Sequence, residues 1–143
     1  MNNTPTGTLA IIGAGQLGFF LCQAARELGV RTLVVTADPD APALGVADDA
    51  LLMPLDAPDL AAAIATRADF ATFEFENVPD ELLAALARLQ GEGQIRVQPD
   101  PAVLSLLKNK ARQKTWLANE GFPTLPFQVL DELPAASDDA LKA

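Results

Sequence analysis

Thr8-Leu9-Ala10-Ile11-Ile12-Gly13-Ala14-Gly15-Gln16-Leu17-Gly18 is the stretch that decides how the rest of the chain reads. Residues Thr8 to Ile12 are apolar on both faces, which predicts a short central strand of a parallel sheet. After the glycine turn, an amphipathic helix is expected through Leu28, with Leu17, Phe20, Leu21, Ala24, Ala25 and Leu28 as its apolar stripe and Gly29 as its stop. A strand feeding a glycine turn and then a helix N-terminus presents free N–H groups at the positive end of a helix dipole, an arrangement that suits a phosphate. Gly13 and Gly15 permit a tight turn and close ligand approach, and Gly18 lets the helix lie against the sheet. Unrelated dinucleotide-binding proteins share this spacing, and a glycine turn can also serve packing alone.

Working outward, strand and helix signals alternate. Arg31 to Thr36 reads as a second strand, followed by a loop, Ala37-Asp38-Pro39-Asp40-Ala41-Pro42, whose prolines and aspartates cannot continue it. Asp49 to Met53 is a third strand, and Asp56 or Pro58 opens an alanine-rich helix to about Arg67. Phe70 to Phe75 is a fourth strand. Pro79 starts a helix with Leu82, Leu83, Leu86 and Leu89 as its buried stripe, and Gln94 to Gln98 is a fifth strand. This alternation predicts an α/β fold, a parallel sheet of about five strands with helices on both faces.

Beyond Gln98 the pattern changes. Helices are expected over Ala102 to Lys108 and Asn109 to Asn119, then a strand over Phe127 to Leu130 and a helix capped by Ser137. Two parts follow from this: residues 1–98, and residues 99–143 as a helical linker into the start of another domain. Met1 to Gly7 reads as a loose tail.

Ten basic residues against nineteen acidic ones, a net charge of −9, disfavour a nucleic acid or an anionic membrane as partner. No apolar run approaches the roughly 20 residues that span a bilayer, and the N-terminus lacks a signal-peptide pattern, so a cytoplasmic protein is expected. A single cysteine, Cys22, and no histidine leave no internal disulfide, no histidine-based triad and no expected zinc site. Cys22 reads as a small core residue and Trp116 as a packing anchor.

In an open α/β sheet, ligands lie beyond the carboxyl ends of the strands, and three loops converge there: 13–18, 38–42 and 74–79. Glu74 and Glu76 are expensive to bury unpartnered, so both are expected near the strand tip. With the Asn77 amide they suit ligand hydroxyl or amino groups; equally, either glutamate can cap a helix or pair with an arginine. Asp38, about twenty residues past Gly18, stands where a dinucleotide-binding protein holds a ribose diol, and equally suits a turn. Lys108, Lys110, Arg112 and Lys114 form a basic run, read as a solvated surface or as groups facing a nucleotide's phosphates.

Gly13 to Gly18, Asp38-Pro39-Asp40-Ala41-Pro42-Ala43 and Phe73-Glu74-Phe75-Glu76-Asn77-Val78-Pro79, in this order, resemble the N-terminal part of the carboxyaminoimidazole ribonucleotide synthases of purine (IMP) biosynthesis. Lys110, Lys114, Leu117 and Gly121-Phe122-Pro123-Thr124-Leu125-Pro126-Phe127 are similar to that family's entry into its ATP-grasp domain. The resemblance implies a Rossmann-like pre-ATP-grasp domain over residues 1–98 and the start of an ATP-grasp domain over 99–143. It implies a ligase that carboxylates aminoimidazole ribonucleotide with ATP and bicarbonate, with Mg²⁺ on the nucleotide and a homodimer as the full-length enzyme. Gly13, Gly15, Gln16, Leu17, Gly18, Glu74, Glu76 and Asn77 would then be substrate-binding, Lys110 and Lys114 nucleotide-binding, and no residue here catalytic or metal-binding. Phe19 and Phe20 depart from the arginine and methionine common in the family. The 143-residue chain alone is expected to lack ligase activity. The rival readings are a nicotinamide-dependent oxidoreductase domain using Gly13, Gly15, Gly18 and Asp38, and a non-catalytic interaction module.

Overall fold

The computed structural model describes residues 7–129, in two compact units that divide between Lys108 and Asn109. The first unit is built on five parallel strands: β1 (Thr8–Ile12), β2 (Arg31–Thr36), β3 (Asp49–Leu52), β4 (Phe70–Phe73) and β5 (Arg96–Val97). They lie in the order β3-β2-β1-β4-β5, which puts β1 at the centre, as its two-sided apolar pattern requires. The order reverses at β1, so the C-terminal ends of β1, β2 and β4 border one crevice.

Period-two alternation divides the strand side chains between two cores. Ala10, Ile12, Leu33 and Val35 face α2 (Leu60–Ala65), α3 (Asp80–Gly91) and α4 (Pro101–Leu107), packing with Leu60, Ile64, Leu82, Leu86 and Leu104. Ile11 and Val34 face the opposite layer, α1 (Gln16–Glu27) and the 3₁₀ turn Pro42–Gly45, meeting Cys22, Ala41 and Ala43. Because Leu104 joins the larger core and Asp100 caps α4 through the Ala102 N–H at 2.8 Å, the first unit runs past Gln98 to Lys108.

The expected stripe of α1 is corrected. Its buried residues are Gly18, Cys22 and Ala25, whereas Leu17, Phe20 and Leu28 are more than half exposed. The reason is steric: a Cβ at Gly18 would already stand 3.2 Å from the Gly13 carbonyl oxygen, so the helix can approach only on its small-residue face. The larger apolar side chains are displaced outward, where Leu21 joins Leu9, Val30 and Phe70 around an open hollow of about 390 Å³.

Elsewhere the elements are shorter than expected. The α2 helix begins only at Leu60 because residues 54–60 form successive turns, Ala57 N–H to Pro54 O and Leu60 N–H to Ala57 O. The fourth strand stops at Phe73, and β5 spans two residues because Gln94 donates back to the Leu89 carbonyl as part of the α3 stop. Helices α1 and α3 end in the same double-bonded reverse turn, through Gly29 and Gly93.

The second unit, by itself, consists of α5 (Lys110–Asn119) and an extended segment. Asn109 caps the helix by accepting the Arg112 N–H at 3.0 Å. Its stop at Gly121 repeats the double-bonded turn, with Phe122 N–H reaching the Leu117 carbonyl at 2.9 Å, and the Trp116 and Phe122 rings stack 5.9 Å apart. Residues 127–129 carry no strand, contrary to expectation, since they have no ladder partner among the described residues. Leu130, the Ser137-capped helix and the tail Met1 to Thr6 lie outside the described residues.

Candidate functional site

Parallel pairing sets Ile12 of β1 opposite Phe73 of β4, and both strands stop there. The next residues therefore leave the sheet together, with Glu74 N–H donating to the Ile12 carbonyl at 3.0 Å. Gly13 takes φ +111°, a conformation that disfavours any side chain, while its N–H donates to the Val35 carbonyl at 3.0 Å. This turn aims the Gly15 N–H at Glu74, whose Oε2 accepts it at 2.8 Å. On the far side, the Ala14 carbonyl accepts from Ala43 N–H at 2.9 Å, fixing the turn to the second loop.

All three motif glycines surround the Glu74 side chain. A Cβ at Gly13 would lie 2.6 Å from Glu74 Oε2, one at Gly15 would lie 2.5 Å from Oε1, and one at Gly18 would lie 3.1 Å from Oε2. Sequence reasoning anticipated that these segments share a cleft. What it missed is that the glycines make room for a protein carboxylate, a role detectable only once β1 and β4 are known to be neighbours.

Gln16 and Leu17 are exposed at the start of α1, and the N–H groups of Gln16, Leu17 and Gly18 have no protein acceptor among the described residues. Glu76 and Asn77 are also exposed, while Val78 behind them is buried and donates to the Glu76 carbonyl at 2.9 Å. Within the crevice is an open cavity of about 440 Å³ whose lining includes Gly13, Gly15, Asp38, Glu74 and Phe75. Asp38 Oδ1 accepts the Asp40 N–H at 2.9 Å, the geometry of a turn aspartate.

The lysines divide. Lys108 Nζ donates to the Val78 carbonyl at 3.0 Å and pairs with Asp80 Oδ1 at 2.7 Å, so it ties α4 to the segment carrying Glu76 and Asn77. Its place in a basic run concealed this anchoring role. In the second unit, Lys110 Nζ donates to Gln113 Oε1 at 3.2 Å and Lys114 Nζ to Thr124 Oγ1 at 2.9 Å. Phe19 and Phe20 meet edge to face with ring centres 5.8 Å apart. Cys22 is buried and burial pushes its thiol pKa up, which keeps it protonated and unreactive.

Asp48 accepts from both the backbone N–H and the hydroxyl of Thr32, at 2.8 and 3.1 Å, and the backbone bond foremost holds its carboxyl below the usual range. The hydrogen bond from Arg67, at 2.6 Å, does the same for Asp49. Among the described residues no three or more acidic, cysteine or histidine side chains gather to hold a metal. No helix among them is long and apolar enough to cross a membrane.

Residues 6–108 match the ribonucleotide synthetase pre-ATP-grasp domain model. N5-carboxyaminoimidazole ribonucleotide synthase of Brucella melitensis is 34% identical over 128 residues, covering 90% of this chain and 34% of that protein. The crystal structure of N5-carboxyaminoimidazole ribonucleotide synthetase from Thermotoga maritima superposes with a TM-score of 0.80 at 26% identity, over 90% of this chain and 34% of that one. The Aspergillus clavatus N5-carboxyaminoimidazole synthase, solved in complex with ADP and aminoimidazole ribonucleotide, gives a TM-score of 0.70 at 25% identity, over 86% of this chain and 31% of that one. The chain thus spans about a third of the length of these relatives. Both the match and the turn geometry of Asp38 run against the nicotinamide reading. With the five-stranded parallel sheet, the Gly13–Gly18 turn on Glu74 and the match over residues 6–108, the chain belongs to the ribonucleotide synthetase pre-ATP-grasp domain family.

Proposed function

We propose that this chain is the substrate-recognition part of an ATP-dependent ligase that carboxylates the exocyclic amine of aminoimidazole ribonucleotide with bicarbonate, in purine biosynthesis in the cytoplasm. The observation that carries the reading is the Gly15 to Glu74 hydrogen bond at 2.8 Å, because it joins the glycine turn to the acidic loop in one crevice. In this reading the amides of Gln16, Leu17 and Gly18, which have no protein acceptor among the described residues, take the ribonucleotide phosphate, as a helix N-terminus favours an anion. Gly13 and Gly15 leave room for the Glu74 carboxylate that holds the turn, and Glu76 and Asn77 accept from the ligand's hydroxyl or amino groups.

ATP, which relatives are seen to hold as ATP or ADP, belongs in this reading to the ATP-grasp portion, with Lys110 and Lys114 directed at its phosphates and Mg²⁺ supplied with it. When bound, ATP supplies the phosphoryl group that activates bicarbonate. The full-length enzyme would work as a homodimer. These 143 residues, a third of the relatives' length, are proposed to recognise substrate without turning over ATP on their own.

Calorimetric titration of the purified chain tests this. Saturable binding of aminoimidazole ribonucleotide, with none of NADH, is expected. Binding of NADH without binding of the ribonucleotide overturns the proposal.

A further inference from the structure

The Glu74 side chain is already committed to a donor of the glycine turn: half-buried, it accepts the Gly15 N–H at 2.8 Å, whereas Glu76 and Asn77 two and three positions on are exposed. Its oxygens also fill the space that side chains at Gly13, Gly15 and Gly18 would need. We infer that Glu74 is the positioning residue of the glycine turn, acting through the Gly15 amide, and that it divides the turn's donors between an internal anion and the ligand. The inference deepens the substrate reading, from which it takes the phosphate.

The physical argument has two steps. A carboxylate on a backbone N–H makes a charge-assisted bond stronger than a neutral pair, so it holds Gly13 to Gly15 in a conformation that the positive φ of Gly13 alone does not secure. The same negative charge sits where a phosphate would otherwise cap Gly15. An incoming phosphate is thus turned away from Gly15 and toward the amides of Gln16, Leu17 and Gly18. With the Asp38 carboxylate lining the same cavity, the inner space accepts hydrogen-bond donors, hydroxyl or amine, rather than a second anion. The orientation follows: phosphate on the outer amides, donor-bearing part of the ligand inward.

The test uses the ¹⁵N-labelled 143-residue chain, with Glu74→Gln and Glu74→Ala, and ribose 5-phosphate as a probe that carries phosphate and hydroxyls without the imidazole amine. In the unmodified chain the Gly15 amide proton is expected to be protected from exchange by its bond to Glu74. Glu74→Gln keeps an acceptor, so protection remains, and ribose 5-phosphate binds roughly 3–10-fold tighter once the facing charge is gone. Glu74→Ala loses protection at Gly13 and Gly15, the turn amides that are bonded, and weakens the probe about tenfold or more. A Gly15 amide that exchanges in the unmodified chain as freely as the exposed Gln16 and Leu17 amides overturns the inference, and that readout needs no variant to fold. Weaker probe binding by Glu74→Gln also overturns it, because the facing charge would then favour the probe instead of turning its phosphate away. If ribose 5-phosphate and aminoimidazole ribonucleotide both fail to bind the unmodified chain, the substrate reading fails, while the Gly15 signals still decide the positioning role.

Discussion

Ile12 and Phe73 are register partners at the C-terminal ends of β1 and β4, and this pairing brings Gly13 and Glu74 out of the sheet side by side. Everything proposed for the crevice depends on that register. A shift by one residue would turn Glu74 to the opposite face of the sheet and leave the glycine turn without its carboxylate.

Side chains placed in the glycine turn are expected to be costly. Gly13→Ala meets Glu74 Oε2 at 2.6 Å and Phe75 Cε1 at 2.8 Å at a positive φ, and should lose about 1–3 kcal/mol of stability in urea unfolding. Gly45→Ala, which meets nothing within 4 Å, is the control and should change stability by less than about 1 kcal/mol. Equal losses at the two positions would contradict the packing described.

The corrected face of α1 makes a contrast within the apolar residues. Ile64→Ala, at a fully buried position, should cost about 2–5 kcal/mol. Leu17→Ser, at a residue 59% exposed, should stay within about 0.5 kcal/mol of the unmodified chain. A large loss at Leu17 would restore the stripe read from the sequence.

Lys108→Met removes the bond to the Val78 carbonyl and the pair with Asp80. A loss of about 0.5–1.5 kcal/mol is expected, with faster amide exchange at Val78 and its neighbours, since the segment bearing Glu76 and Asn77 loses its anchor. Unchanged exchange there would remove Lys108 from the account.

Acid stability should respond to Asp48. Its folded-state pKa lies below the ordinary 3.8, so its contribution is fully present above that value and is lost as pH falls through it toward the folded-state pKa. Asp48→Asn should therefore lower the thermal midpoint at pH 7, and the gap between the two proteins should close as pH drops below about 4. A gap that is constant with pH would mean the Thr32 bonds do not depend on the charge.

Much of this was legible in the residues. The two-sided apolar run Leu9 to Ile12 reads as a central strand because both faces are in fact covered, by Ile64 and Leu86 on one side and Cys22 and Ala43 on the other. The α1 stripe misled because hydrophobicity ranks Leu17 and Phe20 above Gly18 and Cys22, whereas close approach to the sheet selects for size. The Glu74 socket was hidden for a different reason. A residue 59 positions from Gly15 acquires its partner only through strand order, which local patterns do not carry.

The central claim is that the Gly13–Gly18 turn and the Glu74–Asn77 loop form one recognition crevice for a ribonucleotide. Backbone amide shift mapping of the labelled chain with aminoimidazole ribonucleotide tests it most directly. The account predicts saturable changes concentrated at Gln16, Leu17, Gly18, Glu76, Asn77 and Val78, with Gly13 to Gly15 moving in concert. Changes centred elsewhere, such as the hollow around Leu9, Leu21 and Phe70, with residues 13–18 and 74–78 unmoved, would contradict it.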